Sequence, residues 1–327
     1  MRATAYGESN GGSIMNAVAI VSPLRGAVAM TGSRLLRQGR RRILDSGAET
    51  AAHLDRVVEA FQTGFLAACR AADVAAIPEH LSSVDGCRRG FAYEGAAMAL
   101  GLLDALSPWS KRRLSRLFAL AGGYTYLMHV GAGWALARVG RLEGARFHQL
   151  DPLLKWLALD GVGFHDGFMR PGTHAPTGPR PGMSAYAARV FDQGVGRSLW
   201  FTAHAQSNAI IERIAAADVQ RRPDLWSGVG LACAYAGGIT VPEIRLLQNA
   251  CGPLHAHLAQ GVAFAAEAHM RGLGRVPPHT ELACEAICGM RAAQAAAVAR
   301  ICASQLTSSA AEPAYETWRT RVRERLS

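Results

Sequence analysis

Long segments built from alanine, glycine and leucine place the tightest constraint on how this chain can fold. FAYEGAAMALGLLDAL over 91–106 and YTYLMHVGAGWALARVG over 124–140 carry small or apolar residues on several sides. Alanine and leucine favour helices, whereas strands favour β-branched and aromatic residues. Few segments alternate apolar and polar residues with the period of two that marks a half-buried strand. The sequence therefore predicts an all-α fold.

The predicted helices share a form, with an aromatic or leucine residue near the start, glycine and alanine in the middle, and an aliphatic or charged end. A repeat array keeps a fixed period. These helix starts instead lie at uneven intervals, at Phe91, Tyr124, Leu199, Leu225 and Phe264. We therefore interpret the pattern as a helical bundle or a degenerate stack of α-hairpins, packed tightly through glycine and alanine.

The chain has 327 residues, enough for one large domain or two ordinary ones. Residues 1–14 are small and polar, and a basic run follows at 34–42. We expect 1–45 to form a flexible basic tail and 46–327 to form a single helical domain. A loop over 170–186 interrupts that domain, because its proline and glycine content excludes a regular helix or strand.

The formal net charge is +10, and nearly all the basic residues are arginine. The excess is concentrated in short runs, among them 34–42 and the C-terminal WRTRVRERL. Charge runs at helix ends are usually solvated faces. This distribution does not indicate a phosphate-binding surface, so we expect no nucleic-acid partner.

Seven cysteines are scattered through mostly apolar surroundings without a CxxC pair, which is typical of buried thiols in a reducing compartment. The apolar stretch over 15–30 is interrupted by Pro23 and Arg25 and precedes the basic run, which is the wrong order for a signal peptide. No uninterrupted apolar run approaches the roughly 18 residues of a membrane span. We expect a cytoplasmic protein without a stable membrane span.

The region between Leu150 and Arg197 is the strongest candidate for a functional site. We interpret Asp160, His165 and Asp166 as part of a glycine-spaced turn after an apolar helix. A histidine beside an aspartate suits acid–base catalysis, because the carboxylate can orient or charge the imidazole. In FDQGVGRSLW we expect glycines to expose backbone N–H groups to an anion. The polar residues of that second segment are Asp192, Gln193 and Arg197.

A metal site is an alternative interpretation of these residues. Neither candidate set has the spacing of a known metal motif, so we expect no metal and no cofactor. One set would join His165 and Asp166 to His148, His174 or Asp192, and the other would use His279, Glu281, Cys284 and Cys288.

Glu94 lies in the first turn of a predicted apolar helix, where it either favours the helix dipole or serves as a buried acid or base beside Tyr93. His129 lies in the middle of another helix, as a hydrogen-bonded core residue or as part of a site. Tryptophans could line a cavity and stabilise developing cations, although each is otherwise an ordinary core residue. They are Trp134, Trp156, Trp200 and Trp226.

Five motifs lie in order between 89 and 238: RGFAYEGAAMAL, HVGAGWALARVGRL, LDPLLKWLALDGVGFHDGF, RVFDQGVGRSLWF and DLWSGVGLACAYAGG. They resemble the UnbL-type enediyne biosynthesis proteins, a bacterial family encoded beside enediyne polyketide gene clusters. The resemblance covers roughly 48–300. It implies a role in secondary-metabolite biosynthesis, and it brings no established reaction, cofactor or catalytic residue.

Two functions fit these observations. The first is an enzyme that isomerises or cyclises a long hydrophobic intermediate, polyene or isoprenoid-like, by acid–base chemistry. The second is a non-catalytic helical scaffold for a synthase or carrier protein, whose acidic surface would suit this basic chain. An enzyme needs an enclosed cavity where polar groups converge, whereas a scaffold needs an exposed groove. We favour the enzyme, with Glu94, Asp160, His165, Asp166 and Asp192 as catalytic candidates, and with Tyr93, His129, Gln193, Arg197 and the four tryptophans as substrate-binding candidates.

Overall fold

The computed structural model describes residues 23–107, 112–140, 142–172, 174–306 and 313–327. Within these ranges all the regular structure is helical and no strand occurs, so the all-α prediction is confirmed. Short 3-10 turns and one π-helical turn, Cys284–Cys288, join some of the α-helices. The α-helices are α1 (Pro23–Leu44), α2 (Ala51–Arg70), α3 (Ile77–Ser82), α4 (Gly86–Leu106), α5 (Arg113–Leu120), α6 (Thr125–Val139), α7 (Ala145–His148), α8 (Trp156–Met169), α9 (Ala185–Thr202), α10 (Ser207–Ala215), α11 (Arg222–Ala236), α12 (Val241–Cys251), α13 (His255–Leu273), α14 (Pro278–Ala283), α15 (Ala292–Ser304) and α16 (Ala314–Leu326).

The longer helices follow one another in space as they do in sequence. In the order α2, α4, α6, α8, α9, α11, α13 and α15, each packs on the helix before it and the helix after it. Helix α13 also contacts α4 and the turn before α6, so the array curls back on itself. Side chains from several helices therefore meet in a common interior.

Reciprocal glycine contacts bring neighbouring helices unusually close together. Gly194 of α9 faces the carbonyl oxygen of Asp160 on α8, and Gly163 of α8 faces the carbonyl oxygen of Phe191 on α9. A Cβ at either glycine would lie only 1.8 or 1.9 Å from that oxygen. The Cα hydrogens can therefore point at carbonyl oxygens, as in other small-residue helix interfaces. The same register recurs for Gly64 with Gly95, Gly133 with Gly161, Gly196 with Gly228, and Gly230 with Gly261.

The glycines repeat at nearly regular intervals along the chain, although the helix starts do not. G-x-G pairs begin at Gly131, Gly161, Gly194 and Gly228, at intervals between 30 and 34 residues. Residues two apart on a helix face nearly opposite sides. The first glycine of each pair therefore contacts the preceding helix and the second contacts the following one. The expected tight packing through glycine and alanine is thus present as a regular array.

Helix α1 corrects the prediction of a flexible tail over 1–45. Residues 23–44 form a 22-residue helix that packs on α2. Leu36 and Ile43 are each only 1% exposed. The prediction was wrong because the arginines lie mainly on the outer side of a helix whose inner side is apolar. The rest of the predicted tail, 1–22, lies outside the described residues.

Helix α16 corrects the expectation that the C-terminal basic run is solvated. It packs on α13 and α15, and its side chains reach the interior of the array. Tyr315, Trp318 and Arg319 are at most 1% exposed. An apolar stripe at helical spacing therefore seats this arginine-rich helix inside the fold.

Among the described helices, none alone has both the length and the apolar composition of a membrane span. The segments Pro278–Cys288 and Ala292–Ser304 reach that length and composition only together, and they are bent by 74° at the break between them.

Candidate active site in the helical interior

A buried cluster of polar side chains joins α4, α8 and α9. Arg197 forms a close ion pair with Asp160, and its Nη2 atom lies 3.9 Å from Oε2 of Glu94. Gln193 donates from Nε2 to Oδ2 of Asp160 at 2.8 Å. All four side chains are at most 4% exposed. The structure therefore brings these four sequence-predicted residues together, and we call them the Glu94 cluster.

The glycine repeat explains why these side chains meet. Glu94, Asp160 and Gln193 each come directly before the glycine that contacts the preceding helix of the array. They consequently share one position in the repeat, and that position faces the interior. Ser227 and Gln260 occupy the same position on α11 and α13, and the serine hydroxyl donates to Oε1 of the glutamine at 2.9 Å. Sequence reasoning missed these last two residues, although the shared position before a glycine could have revealed them.

Glu94 has the electrostatic environment of a proton donor. Its Oε1 accepts a hydrogen bond from Nε1 of Trp134 at 3.1 Å, and its Oε2 has no hydrogen-bond partner among the described residues. Burial raises the pKa of Glu94 to about 7, with a further rise from Asp160, against the lowering effects of Arg197 and Trp134. Burial lowers the pKa of Arg197, but the two carboxyl groups outweigh it and raise that pKa. Near neutral pH, Glu94 can therefore exchange its proton while Arg197 stays charged.

Two small apolar cavities lie beside the Glu94 cluster. One, of about 20 Å³, is lined by Glu94, Trp134 and apolar side chains that include Leu36 of α1. The other, of about 30 Å³, is lined by Arg197, by Trp318 of α16 and by other apolar and aromatic side chains. Each has room for about one or two water molecules. A larger ligand requires some of the surrounding helices to move apart.

His165 and Asp166 form a separate dyad. Nδ1 of His165 lies 2.9 Å from Oδ1 of Asp166, and Arg180 donates to both oxygens of that carboxylate at 2.6 Å. Burial lowers the pKa of His165, so the neutral imidazole donates from Nδ1, and Nε2 is left without a described partner. Burial would raise the pKa of Asp166, but Arg180 and His165 hold it far below its usual value. The imidazole packs against the ring of Trp134, with ring centroids 5.2 Å apart.

The glycine-spaced turn and the loop-to-helix junction predicted in this region are both absent. Residues 160–166 lie inside α8, and residues 192–197 lie inside α9. The prediction took their glycines as turn formers, whereas these glycines allow the two helices to approach each other. They present no free backbone N–H groups to an anion, because those groups are bonded within the helices.

The loop predicted over 170–186 is attached to the rest of the fold by several hydrogen bonds. Arg180 joins it to Asp166, and Arg221 donates to the carbonyl oxygens of Pro176 and Thr177 at 3.2 and 2.7 Å. Arg221 also pairs with Asp192 at 2.7 Å. Asp192 is therefore paired with Arg221 and does not belong to the Glu94 cluster. The packing of α8 on α9 joins Asp160 to Arg197.

Five further predicted residues lie outside the Glu94 cluster. Tyr93 stacks on Tyr124 with ring centroids 4.3 Å apart, and Trp156 packs edge-on against Tyr186 at 4.7 Å. Trp200 donates from Nε1 to a backbone carbonyl at 3.0 Å. The five are Tyr93, His129, Trp156, Trp200 and Trp226, of which His129 lines a separate groove and Trp226 is buried in the core.

A second charged cluster, missed in the sequence, surrounds α16. Arg319 pairs with Asp224 and Glu316, and Arg189 pairs with the same two carboxylates at 3.1 and 3.0 Å. The hydroxyl of Tyr315 accepts a hydrogen bond from Gln193 at 3.2 Å, which links this cluster to the Glu94 cluster. The available signal was the helical spacing of the apolar residues within AYETWRTRVRERL.

The described part of the chain contains no group of three or more His, Cys, Asp or Glu side chains arranged to hold a metal ion. In the alternative metal set with His279 and Cys288, His279 contacts the carbonyl oxygen of Tyr235 at 3.2 Å, and Cys288 contacts that of Ala259 at 3.6 Å. These two side chains are engaged by backbone groups instead.

Fold and site together define the class: an all-helical protein whose glycine-packed array encloses a carboxylate–guanidinium cluster between apolar cavities. The chain belongs to the DUF1702 family, described as "Protein of unknown function", and the family model matches residues 24–326. The match includes α1 and α16, as expected if both belong to the domain. No curated protein and no solved structure matches the chain.

Proposed function

We propose that this protein is an enzyme of bacterial secondary metabolism that isomerises or cyclises a long hydrophobic intermediate, polyene or isoprenoid-like, with Glu94 as the proton donor. One observation carries the proposal: a buried carboxyl group, which has a pKa of about 7 and one oxygen without a described hydrogen-bond partner, lies at an apolar cavity. The resemblance to the UnbL-type enediyne biosynthesis proteins supports the metabolic setting. Membership of DUF1702 does not name a reaction.

The proposed reaction begins with transfer of the Glu94 proton to one carbon of a substrate double bond. The π electrons form the new C–H bond, and the other carbon becomes cationic. Loss of a different proton to the Glu94 carboxylate gives an isomer. Attack by a second double bond, followed by proton loss to that carboxylate, gives a ring. Atoms and electrons balance in both routes without an oxidant or reductant.

Charges in the Glu94 cluster favour this sequence. With Glu94 protonated, Asp160 and Arg197 cancel, which suits a neutral apolar substrate. After proton transfer, two carboxylates face one guanidinium, and the net charge of −1 stabilises a nearby cation. The rings of Phe61, Phe91 and Trp134, which line the same cavity, add cation–π stabilisation.

A long substrate also needs more space than the two cavities provide. Leu36 of α1 and Trp318 of α16 each line one cavity. We propose that the substrate enters by displacing one of these two helices.

The small size of the cavities favours the second candidate function, a non-catalytic scaffold for a synthase or carrier protein. In that case Glu94 would be a structural residue. The exposed arginines of α1, Arg34, Arg37 and Arg41, would suit an acidic partner surface. The two candidates differ in whether the Glu94 proton matters for product formation.

The deciding experiment is metabolite profiling of a strain that lacks the gene and is complemented with wild type, Glu94→Gln or Glu267→Gln. Glu267 is the matched control, because it is also fully buried with a raised pKa and an unpartnered oxygen, but it lines neither cavity. We expect Glu94→Gln to lose the product, as the deletion does, and Glu267→Gln to restore it. Restoration by a folded Glu94→Gln protein would reject the enzyme and favour the scaffold.

A further inference from the structure

A cavity much larger than the two beside the Glu94 cluster lies away from that cluster. It is an open groove of about 740 Å³ between the C-terminal end of α4, helix α5, the start of α6 and the segment around α7. Its volume falls within the range of small-molecule sites, roughly 300–1,000 Å³. Both apolar and polar side chains line it, so it can hold a ligand that has both kinds of surface.

His129 provides the groove with a hydrogen-bond acceptor. Its Nδ1 lies 2.7 Å from the carbonyl oxygen of Thr125, and a carbonyl oxygen can only accept, so Nδ1 carries the proton. Burial lowers the pKa of His129 and keeps the imidazole neutral. Nε2 therefore carries no proton and can accept a hydrogen bond. It is buried, and it has no hydrogen-bond partner among the described residues. The ring of Phe118 packs against the imidazole, with ring centroids 4.5 Å apart. A ligand would therefore reach Nε2 when the Phe118 side chain changes its rotamer.

The net charge of the described groove is positive, because three arginines, including the Arg113 partner of Asp104, outnumber two aspartates. Asp104 is already paired with Arg113 at 3.0 Å, and Asp151 accepts the backbone N–H groups of Leu153 and Leu154 at 2.9 and 2.8 Å. Asp104 is thus neutralised, whereas Asp151 keeps its negative charge. The two arginines that line the groove, Arg112 and Arg146, have no carboxylate partner within the described ranges, and Arg146 donates at 3.4 Å to the carbonyl oxygens of Asp104 and Ala105.

We propose that this groove is a binding site for a small organic anion, a carboxylate or phosphate ester with an apolar body. Arg112 and Arg146 would bind the anionic group, because guanidinium groups match carboxylate and phosphate geometry. Leu114, Leu150 and Phe118 would contact the apolar body. A hydroxyl or N–H group of the ligand would donate to His129.

The test is a titration of the full chain with 4-hydroxybenzoate and with phenyl phosphate at low salt, in which NMR monitors binding. The neutral control ligand is 4-hydroxybenzamide, which keeps the ring and the hydroxyl group but lacks the negative charge. We expect at least one anion to bind and to shift the His129 Nε2 resonance, and we expect the amide to bind at least about tenfold more weakly.

The variant Arg112→Gln/Arg146→Gln should weaken binding of the anion by about tenfold or more. Arg34→Gln/Arg37→Gln is the matched control, because it removes the same charge from the exposed side of α1, outside the groove. It should leave binding unchanged. The proposal is overturned if neither anion binds wild type, if the amide binds as tightly, or if both double variants bind alike.

Discussion

At the scale of single residues, the partners of a buried carboxyl group decide whether it can give up a proton at neutral pH. Glu94 and Asp166 are each only 1% exposed, yet their pKa values shift in opposite directions. Arg180 donates hydrogen bonds to both carboxylate oxygens of Asp166. The cation nearest Glu94 is 3.9 Å away and is shared with Asp160. Burial therefore dominates at Glu94, whereas pairing dominates at Asp166, and only Glu94 is suited to donate a proton.

Asp166 should accordingly be important for stability. We expect Asp166→Asn to lower the free energy of unfolding by about 3 kcal/mol at pH 7, because it breaks a buried ion pair. The folded pKa of Asp166 lies below its ordinary value of 3.8. Its contribution is therefore present above that pH and is lost as the pH falls through the folded pKa. Urea unfolding at pH 7 and pH 3 should show that the gap between wild type and variant narrows in acid. Equal stability at pH 7, or a wider gap at pH 3, would contradict this.

At the scale of helices, the spacing of glycines controls which side chains meet. The sequence was sufficient to predict helices and glycine-mediated packing, and it selected Glu94, Asp160, Gln193 and Arg197 by chemical type. It did not predict that α8 and α9 are uninterrupted, because a glycine at a helix interface and a glycine in a turn look alike locally. Only the recurrence of G-x-G at intervals of 30 to 34 residues distinguishes them.

Gly194→Ala tests this packing. Its Cβ would lie 1.8 Å from the Asp160 carbonyl oxygen, so α8 and α9 would have to separate. We expect a loss of at least about 3 kcal/mol in the free energy of unfolding. The matched control is Gly26→Ala in α1, where no described atom lies within 4 Å of the new Cβ. That change should stabilise the protein by about 0.5–1 kcal/mol through helix propensity. If chemical denaturation gave both variants the same stability, the close-approach account would be wrong.

At the scale of the whole molecule, α1 and α16 complete the interior of the array. Both helices are rich in arginine, and sequence reasoning treated their charge runs as a flexible tail or a solvated face. The charge of a segment does not distinguish a flexible or solvated basic segment from an amphipathic helix that packs in the fold. One stripe of apolar side chains is enough to pack such a helix against its neighbours. In α16 that stripe brings Arg319 into the interior, where it is 0% exposed.

We therefore expect Arg319→Met to destabilise the fold by about 3–5 kcal/mol, since it leaves Asp224 and Glu316 short of a buried cation. Arg325→Met is the control on the exposed side of the same helix and should change stability by no more than about 0.5 kcal/mol. Thermal unfolding followed by circular dichroism measures both. Equal melting temperatures would show that the α16 ion pairs do not hold this helix in place.

The central claim is that Glu94 retains a proton near neutral pH inside an apolar interior. The most direct test is a pH titration by NMR of protein labelled with ¹³C at the glutamate carboxyl carbons, with Glu94→Gln used to assign the resonance. The structure predicts a midpoint at about pH 7 for Glu94. A midpoint at or below the ordinary value of 4.5 would contradict the account, because an ionised carboxylate at neutral pH could not act as the proton donor.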